Sequence, residues 1–215
     1  MVCNSEWAHH GEPPPMVRSL TRKKFLVSAG GAAAAAAAGG AGIGLLGGIA
    51  SARPAPSPEQ DRRILTFLLS LQRIEHAFYA QARRAGRLRG EIGEFVAAAG
   101  TDERRHVEAL ESALGGAATP GAAIGFSVGD AFSSPAAFAA KAAALEDAVV
   151  AACNGQATNL TPERLTQVFS IVSVEARQAA WIRDLGGMEP AAEATDAPQD
   201  ADAIRATLRK EGLIT

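Results

Sequence analysis

Glu103 and His106 stand three residues apart in the stretch Gly100-Thr101-Asp102-Glu103-Arg104-Arg105-His106-Val107, which reads as helix. On an α-helix that spacing puts a carboxylate and an imidazole on one face, about 60° apart. Ile92, Val96, Ala99, Val107, Leu110 and Leu114 all fall within roughly 40° of Glu103 on a helical wheel. Glu103 therefore points into a buried stripe, and His106 sits at its shoulder. A carboxylate aimed into a core is costly unless something cationic meets it.

The same arithmetic turns three further acids inward. Glu75 lies near the centre of an arc marked by Ile64, Leu65, Phe67, Leu68, Leu71, Phe78 and Tyr79. Glu146 shares a face with Phe138, Ala142, Leu145, Val149 and Cys153, while Asp147 points away. Glu175 lies in the stripe of Val168, Ile171, Val172, Ile182 and Leu185. Gln72 is on the inner side beside Glu75, and Gln178 occupies the shoulder that His106 takes beside Glu103. Four carboxylates converging on a dry core cannot all ionise without counter-charge. The arginines lie mostly off the inner faces, which leaves metal ions. A Glu from each of two helices, with Glu-x-x-His from others, is how carboxylate-bridged di-metal sites are built in bundles. Carboxylate oxygen with imidazole nitrogen suits iron or manganese. The candidate metal contacts are Glu103, His106, Glu146, Glu175 and Glu75. The competing reading is a metal-free buried network of Glu, Gln, His and Tyr that fixes the register of the bundle. Tyr79 reads as packing, with its hydroxyl bonded to one of the acids. His76 lies at the edge of its helix and Trp181 at the margin of its own. Cys153 reads as a small buried residue.

The elements that position these groups are helices. The first is expected from about Glu59 to Ala85, stopped by Gly86. The second runs from about Gly90 to Leu114 and ends at Gly115-Gly116. A Gly/Ala/Ser/Pro-rich connection over 115–134 is long for a bundle loop and fits a crossover that leaves the second and third helices parallel. Ser134-Pro135 and Thr161-Pro162-Glu163 each read as a cap followed by a first-turn proline. They open a third helix to about Asn154-Gly155 and a fourth to about Leu185-Gly186-Gly187. Residues 188–215 hold a Pro/Ala/Asp-rich strap, a short helix at about Ala201–Glu211 and a tail whose apolar residues tuck in. The bundle is thus expected over 59–187, preceded by a proline-rich linker at 53–58.

The first 52 residues have a different character. Residues 1–15 show no periodicity and read as a disordered lead, with His9 and His10 in it, and Met16 opens a more ordinary N-terminus. From there Arg18, Arg22, Lys23 and Lys24 precede a long Ala/Gly run and then Ala50-Ser51-Ala52, an A-x-A cleavage pattern. Thr21-Arg22-Lys23-Lys24-Phe25-Leu26 resembles the twin-arginine translocation motif, with Lys23 in place of the second arginine. The expectation is export, with the segment engaging the export machinery and membrane. If it is not cleaved, it anchors the protein to the membrane. Loss of Cys3 with that segment would leave Cys153 as the one thiol of the mature chain and no intrachain disulfide.

The run Ile74-Glu75-His76-Ala77-Phe78-Tyr79, the segment Asp102-Glu103-Arg104-Arg105-His106 and Glu175-Ala176-Arg177-Gln178, with the strap and short C-terminal helix, resemble the exported bacterial ferritin-like domain proteins. The resemblance covers roughly residues 60–214. It implies an all-α, ferritin-like four-helix bundle with a long crossover and, often, a di-iron site. Two departures make the motif degenerate. Members commonly carry Leu-Glu-x-Leu-Glu in the first helix, where this chain has Gln72 for the first acid, and a histidine where it has Gln178. Glutamine is a hydrogen-bonding residue and a poor ligand for a redox di-iron centre.

At 215 residues with a net charge of −2, the chain can fill one domain plus appendages. It carries no basic stripe beyond its N-terminal segment, so nucleic acid is not an expected partner. Assembly into a homo-oligomer is left open. The expected function is iron or manganese binding with oxidase or peroxide-related activity, and the alternative is a metal-free bundle with a structural or binding role.

Overall fold

The computed structural model describes residues 55–115 and 126–215. The lead, the export-type segment, the start of the linker and the middle of the crossover lie outside the described residues. Five α-helices follow one another: α1 Pro58–Ala85, α2 Gly90–Leu114, α3 Pro135–Gln156, α4 Pro162–Leu185 and α5 Ala201–Lys210. No strand occurs among the described residues. None of these helices is long and apolar enough to cross a membrane.

Helix starts follow local chemistry. Ser57 caps α1 by accepting from the Gln60 N–H at 3.2 Å, and Pro58, which the sequence assigns to the linker, takes the first helical position. Proline fits there because its missing N–H has no partner to lose. Ser134 caps α3 in the same way, through the Ala137 N–H. Thr161 departs from its expected role, since its side chain makes no cap hydrogen bond within α4. Its N–H and hydroxyl instead donate to Asp61 Oδ1 and Oδ2 at 2.9 and 2.7 Å. A buried acid from α1 thus fixes the start of α4, and the two N-termini share one end of the bundle.

Cross-helix contacts give the directions. Arg73 meets Glu111 and Tyr79 meets Phe95, so α1 and α2 are antiparallel. Phe95 meets Trp181 and His106 meets Glu175, so α2 and α4 are antiparallel. Arg183 meets Asp147 while Gly186 abuts Ala139, so α3 and α4 are antiparallel. Hence α2 and α3 run the same way. The described ends of the connection between them lie apart along α1, Leu114 beside Leu65 and Phe126 against Phe78. Those two ends are separated by about 20 Å of α1.

The core has two apolar layers. Ile64, Leu65, Leu68, Leu69 and Leu71 pack towards the start of α1. Phe78, Tyr79, Phe95 and Phe138 pack at the other end, joined by Phe126 and Phe132. The buried polar side chains Gln72, Glu75, Glu103, His106, Glu146, Glu175 and Gln178 form the layer between them.

The C-terminal segment is tied down. Leu213 and Ile214 are buried, and the Ser127 N–H donates to the Leu213 carbonyl at 3.1 Å. The strap is held by the Gln199 N–H on the Ala151 carbonyl at 3.0 Å. Gly155 makes that approach possible, because a Cβ there would lie 1.9 Å from the Gln199 carbonyl oxygen. Gly155→Ala would gain up to about 1 kcal/mol of helix propensity against a clash of typically about 1–3 kcal/mol or more. The clash is with backbone, which cannot swing aside. Net destabilisation is expected, read as a lower melting temperature and faster proteolysis near residues 190–200.

Candidate metal centre

Each of the four helices of the bundle delivers one glutamate to a common point. Glu75, Glu103, Glu146 and Glu175 are all 0 % exposed. The helical period put each in the middle of an apolar stripe, so packing the stripes together brings the acids together. They form two groups of potential ligands. Glu103, His106 and Glu175 make one, and Glu75, Glu146 and Glu175 the other. In each group one atom per residue lies within 4.8 Å of the others. Glu175 belongs to both, and so sits between two positions.

Hydrogen bonds link the groups. His106 Nδ1 lies 2.9 Å from Glu175 Oε1 and 3.3 Å from Glu103 Oε2. Gln72 Nε2 donates to Glu75 Oε2 at 2.9 Å and to Glu175 Oε1 at 2.7 Å. In the amide orientation that satisfies its surroundings, Gln178 Nε2 donates to Glu103 Oε1 at 2.8 Å and to Glu146 Oε2 at 3.2 Å. The Tyr79 hydroxyl donates to Glu146 Oε1. The structure therefore brings together all eight residues singled out from the sequence. Glu75, set beside Gln72 by the wheel, takes its place in the second ligand group. His76 stays outside the cluster, half-buried on α1. Cys153 is buried nearby, and burial pushes its thiol far above the ordinary range, so it stays protonated.

No lysine or arginine pairs with the four acids among the described residues. Arg73, Arg104, Arg105 and Arg183 are spent on Glu111, Glu108, Asp102 and Asp147. The electrostatics follow. Burial, and then the neighbouring Glu175, push Glu103 up to about 8 and hold Glu75 and Glu146 well above the usual carboxylate range. Burial alone would lower His106, but its bonds to Glu103 and Glu175 outweigh that and raise it to about 10.

Residues 60–188 match the ferritin-like domain family. The chain belongs to that family. No curated protein matches it. In this ferritin-like bundle the donor set is carboxylate oxygen with one imidazole, the chemistry that hard or borderline divalent metals prefer. Glu75 Oε1, Glu175 Oε2 and Gln72 Oε1 are buried with no hydrogen-bond partner. Such orphaned acceptors are costly in a dry core, and a cation among them would satisfy them. The residues present fit a metal.

The sequence did not single out Asp61 or the contact of Phe95 with Trp181. Asp61 acts on a residue 100 positions away, and nothing local marks that. Phe95, fully buried, was not among the stripe residues read from the sequence, since it lies about 80° from Glu103 on the wheel.

The metal-free protein should lose stability as pH rises. His106 is raised from 6.5 to about 10, so its contribution is full below 6.5 and lost as pH climbs through 10. Glu103 is raised from 4.5 to about 8, so over that interval the folded state holds a proton that the unfolded chain has released. Both act in one direction, each with a limiting slope of about 1.4 kcal/mol per pH unit. Melting temperatures measured in chelator from about pH 5 to pH 9 should fall steadily, and less steeply for Glu103→Gln. A flat or rising profile would contradict these charge assignments.

Proposed function

We propose that this ferritin-like protein holds two ions of iron or manganese at the centre of its bundle. The observation that carries the reading is the sharing of Glu175 between two ligand groups that, among the described residues, pair with no lysine or arginine. Glu103, His106 and Glu175 would hold one ion, and Glu75, Glu146 and Glu175 the other. Bound there, such ions supply one-electron redox chemistry towards dioxygen or peroxide, which gives the protein oxidase or peroxide-related activity. The chain's own residues do the rest. The leucine and phenylalanine layers on either side exclude water. Gln72 and Gln178 hold the carboxylates in place through their amide N–H groups. Tyr79 fixes Glu146 and offers a proton at its Oε1.

The segment at 16–52 makes the protein an exported one, by a twin-arginine type of route that carries folded and metal-loaded chains. This rests on the charged n-region, the glycine-rich core and the A-x-A pattern at Ala50-Ser51-Ala52.

Metal analysis of protein expressed with iron and with manganese should find near-stoichiometric metal. Glu175→Ala should lose both ions, because both groups share it, whereas Glu103→Ala should spare the group of Glu75 and Glu146. Absence of metal under both conditions would end the reading. It would leave the second one, a metal-free bundle whose acids are served by the four amide hydrogen bonds of Gln72 and Gln178.

Gln178 also permits a gain-of-function test. Gln178→His would place a second imidazole against Glu103 and Glu146, three residues after Glu175. Metal affinity should rise, and with it the melting temperature in the presence of metal, because a ligand that binds only the folded state stabilises it. Without metal the same variant should be less stable, since the acids lose two amide donors. A melting temperature unmoved by metal would count against Gln178 facing the ions.

A further inference from the structure

The protein has a single tyrosine, and it is buried at the centre of the bundle with its hydroxyl on Glu146. From it a line of rings leads outward. Tyr79 meets Phe95 edge-on with centroids 5.7 Å apart, and Phe95 meets Trp181 edge-on at 5.2 Å. The three rings come from α1, α2 and α4. Phe95 is fully buried, while Trp181 is 38 % exposed, one of three large hydrophobic side chains on the described surface. Packing alone explains Phe95. It does not explain why the side chain that continues the line should be an indole in contact with water.

We propose that Tyr79, Phe95 and Trp181 form an electron relay between the carboxylate cluster and the protein surface. Its purpose rests on the metal reading above, but its existence does not. Tyrosine and tryptophan are the two ring side chains that give up one electron most readily, and their potentials are close enough for transfer in either direction. Phenylalanine is much harder to oxidise, so Phe95 is the medium through which the electron tunnels rather than a stop. Two ring-to-ring steps of this length are short for tunnelling through packed protein.

The step balances as follows. An ion bound at the cluster in its higher oxidation state would supply a one-electron acceptor, and Tyr79 would give its electron there. The phenolic O–H bond breaks, and its proton passes to Glu146 Oε1, the atom that already accepts it. Trp181 then gives one electron to Tyr79, which recovers its proton from Glu146, and the oxidised indole releases its N–H proton to water. A soluble one-electron donor such as a thiol or ascorbate restores Trp181 with an electron and a proton. No residue is changed at the end, and the donor has lost the electron that the metal ion gained.

The test uses the full chain without metal. Trp7→Phe leaves Trp181 as the only tryptophan and Tyr79 as the only tyrosine, so each radical has one source. A flash-generated ruthenium(III) tris-bipyridine oxidant should produce an indole radical at the exposed ring. That radical should decay with a first-order rate independent of protein concentration, as the phenoxyl absorbance rises to match. Adding Tyr79→Phe should lengthen the indole radical's life and abolish the phenoxyl signal. Adding Phe95→Leu should slow the transfer several-fold while both radicals still form. Should Tyr79→Phe fail to fold, adding Trp181→Phe instead should remove most of the phenoxyl yield. An indole radical that decays without any phenoxyl rise, or a phenoxyl yield unchanged by Trp181→Phe, would overturn the relay and leave the rings as packing. Metal analysis fails or succeeds separately, so the relay and the metal centre stand or fall on different measurements.

Discussion

Four carboxylates with no solvent exposure share the middle of this bundle with one imidazole, and no lysine or arginine pairs with them among the described residues. Much of the structure is arranged around that constraint. In a medium of low dielectric, each added negative charge raises the cost of the next. Protons meet part of the need, which is why Glu103 is held near 8 and Glu75 and Glu146 well above the usual carboxylate range. His106 meets another part by staying charged far above its ordinary value. The three unpartnered oxygens show that these two devices leave the cluster incomplete. A divalent ion carries more positive charge than the imidazolium and accepts several oxygens at once.

The two glutamines sharpen the contrast between the metal-bound and metal-free states. Each amide donates two hydrogen bonds, and between them they reach all four acids. Donation to a carboxylate favours its ionised form, so Gln72 and Gln178 lower the cost of keeping ligands ready without adding charge themselves. An acid at either position would have given a metal one more ligand and the metal-free core one more buried negative charge. The present arrangement is a compromise in which a neutral amide steadies the ligands whether or not an ion is bound.

Much of this was legible in the sequence, for a geometric reason. A helix of 3.6 residues per turn fixes which side chains share a face, so the apolar stripes of α1 to α4 located Glu75, Glu103, Glu146 and Glu175 without any knowledge of packing. The helix ends were legible where the signals are local, as at Gly86 and Ser134. Of the relations between helices, the parallel run of α2 and α3 was legible in the length of their connection, but the rotations were not. The wheel shows that Glu175 points inward but not that it stands between the other three, which depends on how α4 is rotated against α2 and α3. Thr161 carries every local mark of a capping residue and instead binds Asp61, because tertiary packing placed a buried acid beside it. Likewise Trp181 reads as a marginal residue until the antiparallel pairing of α2 and α4 sets it against Phe95.

The position of the polar layer explains why these helices settle in one register. The leucines and isoleucine near the start of α1 lie on one side of it and the phenylalanine cluster on the other. Apolar side chains alone tolerate sliding, since a leucine packs acceptably against many neighbours. A shift of one helical turn here would take Glu103 or Glu146 out of reach of Gln178, and Glu75 or Glu175 out of reach of Gln72. Each displaced acid would then face Phe78, Phe95 or the leucine layer with its hydrogen bonds broken. A buried polar group left unpaired costs more than a made hydrogen bond gains. The penalty therefore falls on the misaligned states more heavily than the reward falls on the native one. The site that would bind metal is in this sense also the element that aligns the bundle. That gives the cluster a reason to persist as a unit: replacing one acid disturbs the register of the helix that carries it as well as the ligand set.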